Sequence, residues 1–186
     1  MLKVLRESKY TVSVVIIYLF VLFYFFIFTL SPWSVFVFNK TNLVMFFPIA
    51  VCTAGSLFLA NKLLKFGELR VNKKNLLQFS LIFFCAFVLI AVPEEIIFRG
   101  FVQKYLQSVI LNPSLSIIFS ALVFGAAHLL NGALGFWPGK WNWKLAGMSF
   151  IAGLYLGLAY FLTDSLVPPI ILHTLILVVV KIFVKD

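Results

Sequence analysis

Apolar runs long enough to cross a bilayer recur along this chain, at about 10–30, 43–60, 76–92, 115–130, 145–162 and 167–184. A run near 20 residues is what an α-helix needs to span the hydrocarbon core. Backbone polar groups find no water there, so only helices and closed barrels can span it. A barrel would show shorter segments alternating apolar with polar residues. These runs are continuous, and the expected fold is an all-α membrane protein, a polytopic bundle of about six transmembrane helices. It reads as one transmembrane domain over 1–186, with two helices and a basic loop in 1–75 and a four-helix core in 76–186. Composition excludes the soluble alternative. A 186-residue domain that is 63% hydrophobic and 11% charged could not hide that surface from water.

The net charge of +9 would suggest nucleic acid in a soluble protein. Here it reads as loop charge and contact with anionic lipid, so the expected partner surface is the lipid bilayer and no nucleic acid is expected. With the amino terminus in the cytoplasm, every basic residue except Lys40, Arg99 and Lys104 falls on the cytoplasmic side. That asymmetry predicts a multi-pass plasma (inner) membrane protein with both termini cytoplasmic. The first run ends Thr29-Leu30-Ser31-Pro32-Trp33 rather than in small residues, which predicts a transmembrane helix and not a cleaved leader. The four tryptophans (Trp33, Trp137, Trp141 and Trp143) fall in or beside loops, as an interfacial belt requires. Cys52 and Cys85 stand in apolar runs and read as small buried hydrophobes. Gly153 and Gly157 form a small-xxx-small pattern for close helix packing. The segment 61–75 reads as either an amphipathic surface helix or a plain basic loop.

Against this background Pro93-Glu94-Glu95-Ile96-Ile97-Phe98-Arg99-Gly100 stands out. Ionisable residues at membrane depth are costly and point to function. On a helix Glu95 and Arg99 share a face, acid before base at the favourable spacing of four. Glu94 points elsewhere, by the 3.6-residue period. A carboxylate without a cation, removed from water, holds its proton more readily, as a general base working near neutral pH must. Pro93 removes a backbone donor and frees the carbonyl of Leu89, predicting a disturbed helix. Both glutamates serving Arg99, or facing interfacial water, is the plainer reading.

Phe124-Gly125-Ala126-Ala127-His128 places an aromatic ring and an imidazole one turn apart, and His173 lies early in the last run. Taken singly, each histidine reads as a side chain hydrogen-bonded across the bundle. Taken together, Glu94, His128 and His173 on three apolar helices suggest one shared polar cavity. Glutamate with histidine can activate a water, and a second histidine can stabilise an oxyanion. The same three residues are a plausible zinc set, although a His-Glu-x-x-His helix is absent. Depth is ambiguous. Glu94, at the end of its run, draws the opening toward the non-cytoplasmic side, whereas His128 falls toward the cytoplasmic end of its own run.

Glu94-Glu95-x-x-x-Arg99, Phe124-x-x-x-His128 and the late His173 resemble, over about 93–177, the CPBP family of CAAX-type prenyl-protein endopeptidases and bacteriocin-processing enzymes, also called Abi. The resemblance implies an α-helical intramembrane protease of glutamate type, long classed as a metalloendopeptidase. Glu94 would activate water beside His128, Glu95 and Arg99 would support the site, and His173 would line it. Substrates would be membrane-anchored or lipid-modified proteins or peptides. No cofactor is expected, with a divalent metal such as zinc on Glu94, His128 and His173 as the other possibility. The family usually carries Asn or Asp four residues after the last histidine, and this chain has Leu177. Asn131, three residues after His128, is a candidate substitute donor. The departure keeps open a non-catalytic membrane immunity or scaffold protein of the same family. A transporter using these residues as a proton relay is disfavoured by the lack of an inverted repeat.

Overall fold

The computed structural model describes residues 36–37, 40–69, 73–110, 112–129, 139 and 141–185. The first apolar run, 10–30, lies outside the described residues, as do Trp33, Asn131 and Trp137. The remaining runs form helices in chain order: α1 (Lys40–Leu64), the short α2 (Lys73–Leu77), α3 (Phe79–Val109), α4 (Pro113–Ala127), α5 (Trp143–Thr163) and α6 (Val167–Phe183). A two-residue antiparallel pair, β1 (Glu68–Leu69) with β2 (Val184–Lys185), is the only sheet among the described residues. Three of the helices are long and apolar enough to cross a membrane, and α4 and α6 are shorter apolar helices. Large apolar side chains, among them Val44, Phe47, Val51, Leu59, Phe84 and Leu89, lie exposed on the outside. In water that surface would be untenable, and against lipid it is the expected exterior. The protein is an all-α, multi-pass membrane protein.

Local chemistry sets the helix ends. The Asn112 side chain accepts hydrogen bonds from the backbone N–H of Ser114 (2.9 Å) and Leu115 (3.3 Å), and Pro113 opens α4, where its missing donor costs nothing. Asn142 caps α5 in the same way through the N–H of Leu145 (3.1 Å). At the other end of α5 Asp164 adopts a left-handed conformation (φ 45°) and breaks the helix, and Pro168 and Pro169 open α6.

Beyond the third apolar run the sequence leaves 101–108 open between a continued helix and an interfacial turn, and α3 continues through it. The apolar run ends at Val92, yet the helix continues to Val109, so the glutamates sit near its midpoint. It is also not uniformly wound. Ala86–Ala91 and Ile96–Gln103 adopt the wider π winding on either side of an α-helical turn, Val92–Glu95. The Val92 N–H reaches Phe87 and the Lys104 N–H reaches Arg99, five residues back in each case. Pro93 falls at the junction, where the sequence predicted a disturbance.

Helix α5 is the hub, packing on α4, α1 and α6. The central layer is Ile49, Phe98, Phe124, Ala152, Leu156, Ala159 and Leu172. Backbones approach closely where side chains are smallest. A Cβ on Gly125 would lie 2.9 Å from the Ala146 carbonyl oxygen and 3.0 Å from Phe150 Cβ. Gly125→Ala should therefore force α4 off α5 and lower stability by about 1–3 kcal/mol, read as a lower unfolding midpoint in mixed micelles. Gly55→Ala, whose Cβ would meet nothing within 4 Å, is the control and should leave the midpoint unchanged or raised. Cys52 corrects an expectation. It is exposed on the outside of α1 rather than buried, and both cysteines are free.

One end of the bundle gathers the basic chain segments. Lys144 Nζ donates to the Lys65 carbonyl (3.0 Å), Asn75 Nδ2 to the Lys181 carbonyl (2.7 Å), and Glu68 pairs with Lys185 across the two short strands. Within 61–75, α1 continues to Leu64 and Lys65 then turns with φ 48°. Asn61 holds Gly67 by two side-chain hydrogen bonds (3.1 and 3.2 Å). The described part of this segment is thus a capped helix end, a turn, β1 and the start of α2, neither a continuous surface helix nor a plain loop.

Candidate active site

The α-helical turn in the middle of α3 aims its two carboxylates at different neighbours. Glu95 and Arg99 are both fully buried, and Arg99 Nε lies 3.1 Å from Glu95 Oε2. The other carboxylate oxygen, Glu95 Oε1, is 2.7 Å from His173 Nδ1 on α6. Arg99 is held on two further sides. Its Nη2 donates to the Gly153 carbonyl on α5 (3.0 Å), and its Cζ sits 4.6 Å from the centroid of the Phe124 ring. A guanidinium placed so has charge, hydrogen bond and aromatic face together, which is what lets it stay buried.

Glu94 Oε2 lies 3.8 Å from His128 Nε2 and 3.8 Å from His173 Nε2. His128 is the first residue beyond α4, and its ring is held by Nδ1 against the Phe124 carbonyl (2.8 Å). A carbonyl and a carboxylate only accept, so His128 Nδ1 and His173 Nδ1 each carry a proton. Each ring therefore presents Nε2 to the same oxygen of Glu94. Phe124 packs between them, its ring centroid 4.6 Å from that of His128 and 5.6 Å from that of His173. Phe98 closes the far side at 4.9 Å, edge to face.

All five residues singled out from the sequence thus meet in one place. The depth conflict disappears because α3 is longer than its apolar run. Glu94 lies at mid-helix, level with the end of α4, where His128 sits. His128 is also the most open member, with 16% of its side chain exposed. Just past it, the Leu129 carbonyl accepts from the Asn142 N–H (2.9 Å) at the start of α5. Through this contact His128 lies beside the start of α5, where Lys144 stands. Among the described residues no group of three or more His, Cys, Asp or Glu side chains is arranged to hold a metal ion.

Leu177, one turn after His173, packs against the apolar cluster of Ala86, Val178 and Ile182. It brings no polar atom to the site. Gln103 is the residue that sequence reasoning passed over. It is fully buried on α3, one step of four beyond Arg99, and its Nε2 donates to the Gly157 carbonyl (2.9 Å). The only sequence signal was the equal spacing of Arg99 and Gln103 with Gly153 and Gly157.

A profile of the family described as type II CAAX prenyl endopeptidase Rce1-like matches residues 76–179. The chain belongs to that family. The matched span runs from the end of α2 through the long glutamate-bearing helix into α6 and holds every residue of the site described above. The Rce1-like family is a protease family. No curated protein and no solved structure matches the chain.

Proposed function

We propose that this Rce1-like protein is an intramembrane endopeptidase that hydrolyses a peptide bond in a membrane-anchored or lipid-modified protein or peptide. The observation that carries this reading is the convergence of two imidazole Nε2 atoms on one oxygen of Glu94. A separation of 3.8 Å is too wide for a hydrogen bond and suits a water shared between the groups. Glu94 takes a proton from that water, with His128 orienting it. The hydroxide oxygen bonds to the scissile carbonyl carbon, and the carbonyl π pair moves onto oxygen as an oxyanion. His173, when also protonated at Nε2, donates to that oxyanion, whose charge the imidazolium offsets, while Glu95 accepts from Nδ1. The oxyanion then collapses, the C–N bond breaks, and Glu94 returns its proton to the leaving nitrogen.

Arg99 has a supporting part. It neutralises Glu95, so that the carboxylate can stay buried and keep His173 turned toward Glu94. No step in this scheme runs through a metal. Enzyme dialysed against a strong chelator should keep its activity within about twofold. Loss on dialysis with recovery on added zinc would replace water activation by Glu94 alone with a metal-assisted route. With the amino terminus cytoplasmic, the basic end of the bundle faces the cytoplasm and the site opens there, toward tails that emerge from the inner leaflet.

The apolar packing of Leu177 favours a second reading, a membrane immunity or scaffold protein that binds a peptide without cleaving it. Comparative profiling of membrane-protein termini in cells carrying the wild type or Glu94→Gln separates the two. The protease reading expects a defined set of new termini that vanish in the variant, and identical termini in both cells would overturn it.

A further inference from the structure

Gln103 is fully buried, and its Oε1 has no hydrogen-bond partner among the described residues. An unsatisfied buried oxygen lowers stability, and an apolar side chain of the same length would fill the space without that cost. Stability therefore does not account for a glutamine here. Its other end is more telling. Arg99 Nη2 donates to Gly153 O and Gln103 Nε2 to Gly157 O, so donors four apart on α3 meet acceptors four apart on α5. One such rung leaves α3 free to pivot on α5 about the contact. Two rungs fix both its sliding position and its crossing angle. The fit is tight, since a Cβ on Gly157 would lie 2.8 Å from Gln103 Oε1 and 3.1 Å from Ile117 Cγ2.

Resting on the endopeptidase reading above, we infer that Gln103 is a positioning residue, the second rung that holds Arg99, and through it Glu95 and His173, in register with Glu94. It touches no reacting atom. It acts along a line of contacts that ends 2.7 Å from His173 Nδ1. Small displacements of such a line are costly to catalysis, because reacting groups must be placed to within a fraction of an ångström.

Gln103→Met in the full chain tests this. The positioning role expects kcat to fall about tenfold with KM within about twofold, while the unfolding midpoint stays level or rises. Gly157→Ala, which pushes the glutamine aside, should give a similar loss. The double variant should be no worse than either single one, since both break the same rung. A second readout needs no turnover. The chain has only two histidines, so ¹⁵N-histidine labelling, assigned with His128→Gln, resolves the His173 Nδ1–H that Glu95 accepts. That resonance should shift in Gln103→Met. Full kcat with an unmoved resonance, a loss of activity that merely tracks a lower midpoint, or independent losses that multiply in the double variant would each overturn the inference. If the wild type cleaves nothing, the endopeptidase reading falls and the resonance alone decides the positioning role of Gln103.

Discussion

Glu94→Gln removes peptide-bond hydrolysis and leaves the bundle folded. The substitution keeps shape and hydrogen-bonding capacity but takes away the carboxylate that, among the described residues, faces both His128 and His173. A positioned general base contributes on the order of 10²–10⁴-fold, so kcat should fall by about 10³-fold. The unfolding midpoint should fall far less than on loss of the Glu95–Arg99 pair, which this variant leaves in place. Peptide binding should also survive, since the amide fills the same volume. Single-turnover cleavage of a labelled substrate in proteoliposomes, with binding measured in parallel, checks all three. A variant that still cleaves within tenfold of wild type would remove Glu94 from the role of base and leave the site without one.

The largest effect on stability should come from Arg99→Leu. The guanidinium pairs with Glu95, donates to Gly153 O and lies over Phe124, and none of these has a substitute in the leucine variant. Glu95 would then stand fully buried without its guanidinium partner. Breaking a buried pair from one side costs about 3–5 kcal/mol. The expected result is a large drop in the unfolding midpoint in detergent and poor accumulation in the membrane. Arg99→Lys should recover only part of the loss, because an ammonium cannot engage a carboxylate, a carbonyl and a ring face from one plane. Glu95→Leu combined with Arg99→Leu should recover most of the stability and none of the activity, since both charges are gone and His173 has lost its orienting partner. A double variant as unstable as Arg99→Leu alone would show that the pair is not what makes Arg99 necessary.

The sequence predicted the number and order of the described apolar helices, because runs of apolar residues report directly on what lipid tolerates. It also predicted which titratable side chains meet. Buried charges must find one another, and this chain has few to choose from. What it misjudged follows from the same reasoning. Glu94, Glu95 and Arg99 interrupt an apolar run and so read as its end, yet they continue the helix because α5 and α6 supply the carbonyl and the imidazole that accept them. A run of residues carries no record of those partners. Gln103 was illegible on different grounds. An uncharged side chain in a mixed segment carries no insertion penalty large enough to single it out, and only its match to Gly157 on another helix reveals it.

The two stretches of wide winding in α3 have a practical consequence for anyone drawing this helix on paper. A circular projection at the ordinary pitch advances too fast through 96–103, and its error grows with each residue. Side chains late in the stretch are then drawn rotated away from where the real chain holds them, and Gln103, at its end, carries the largest error.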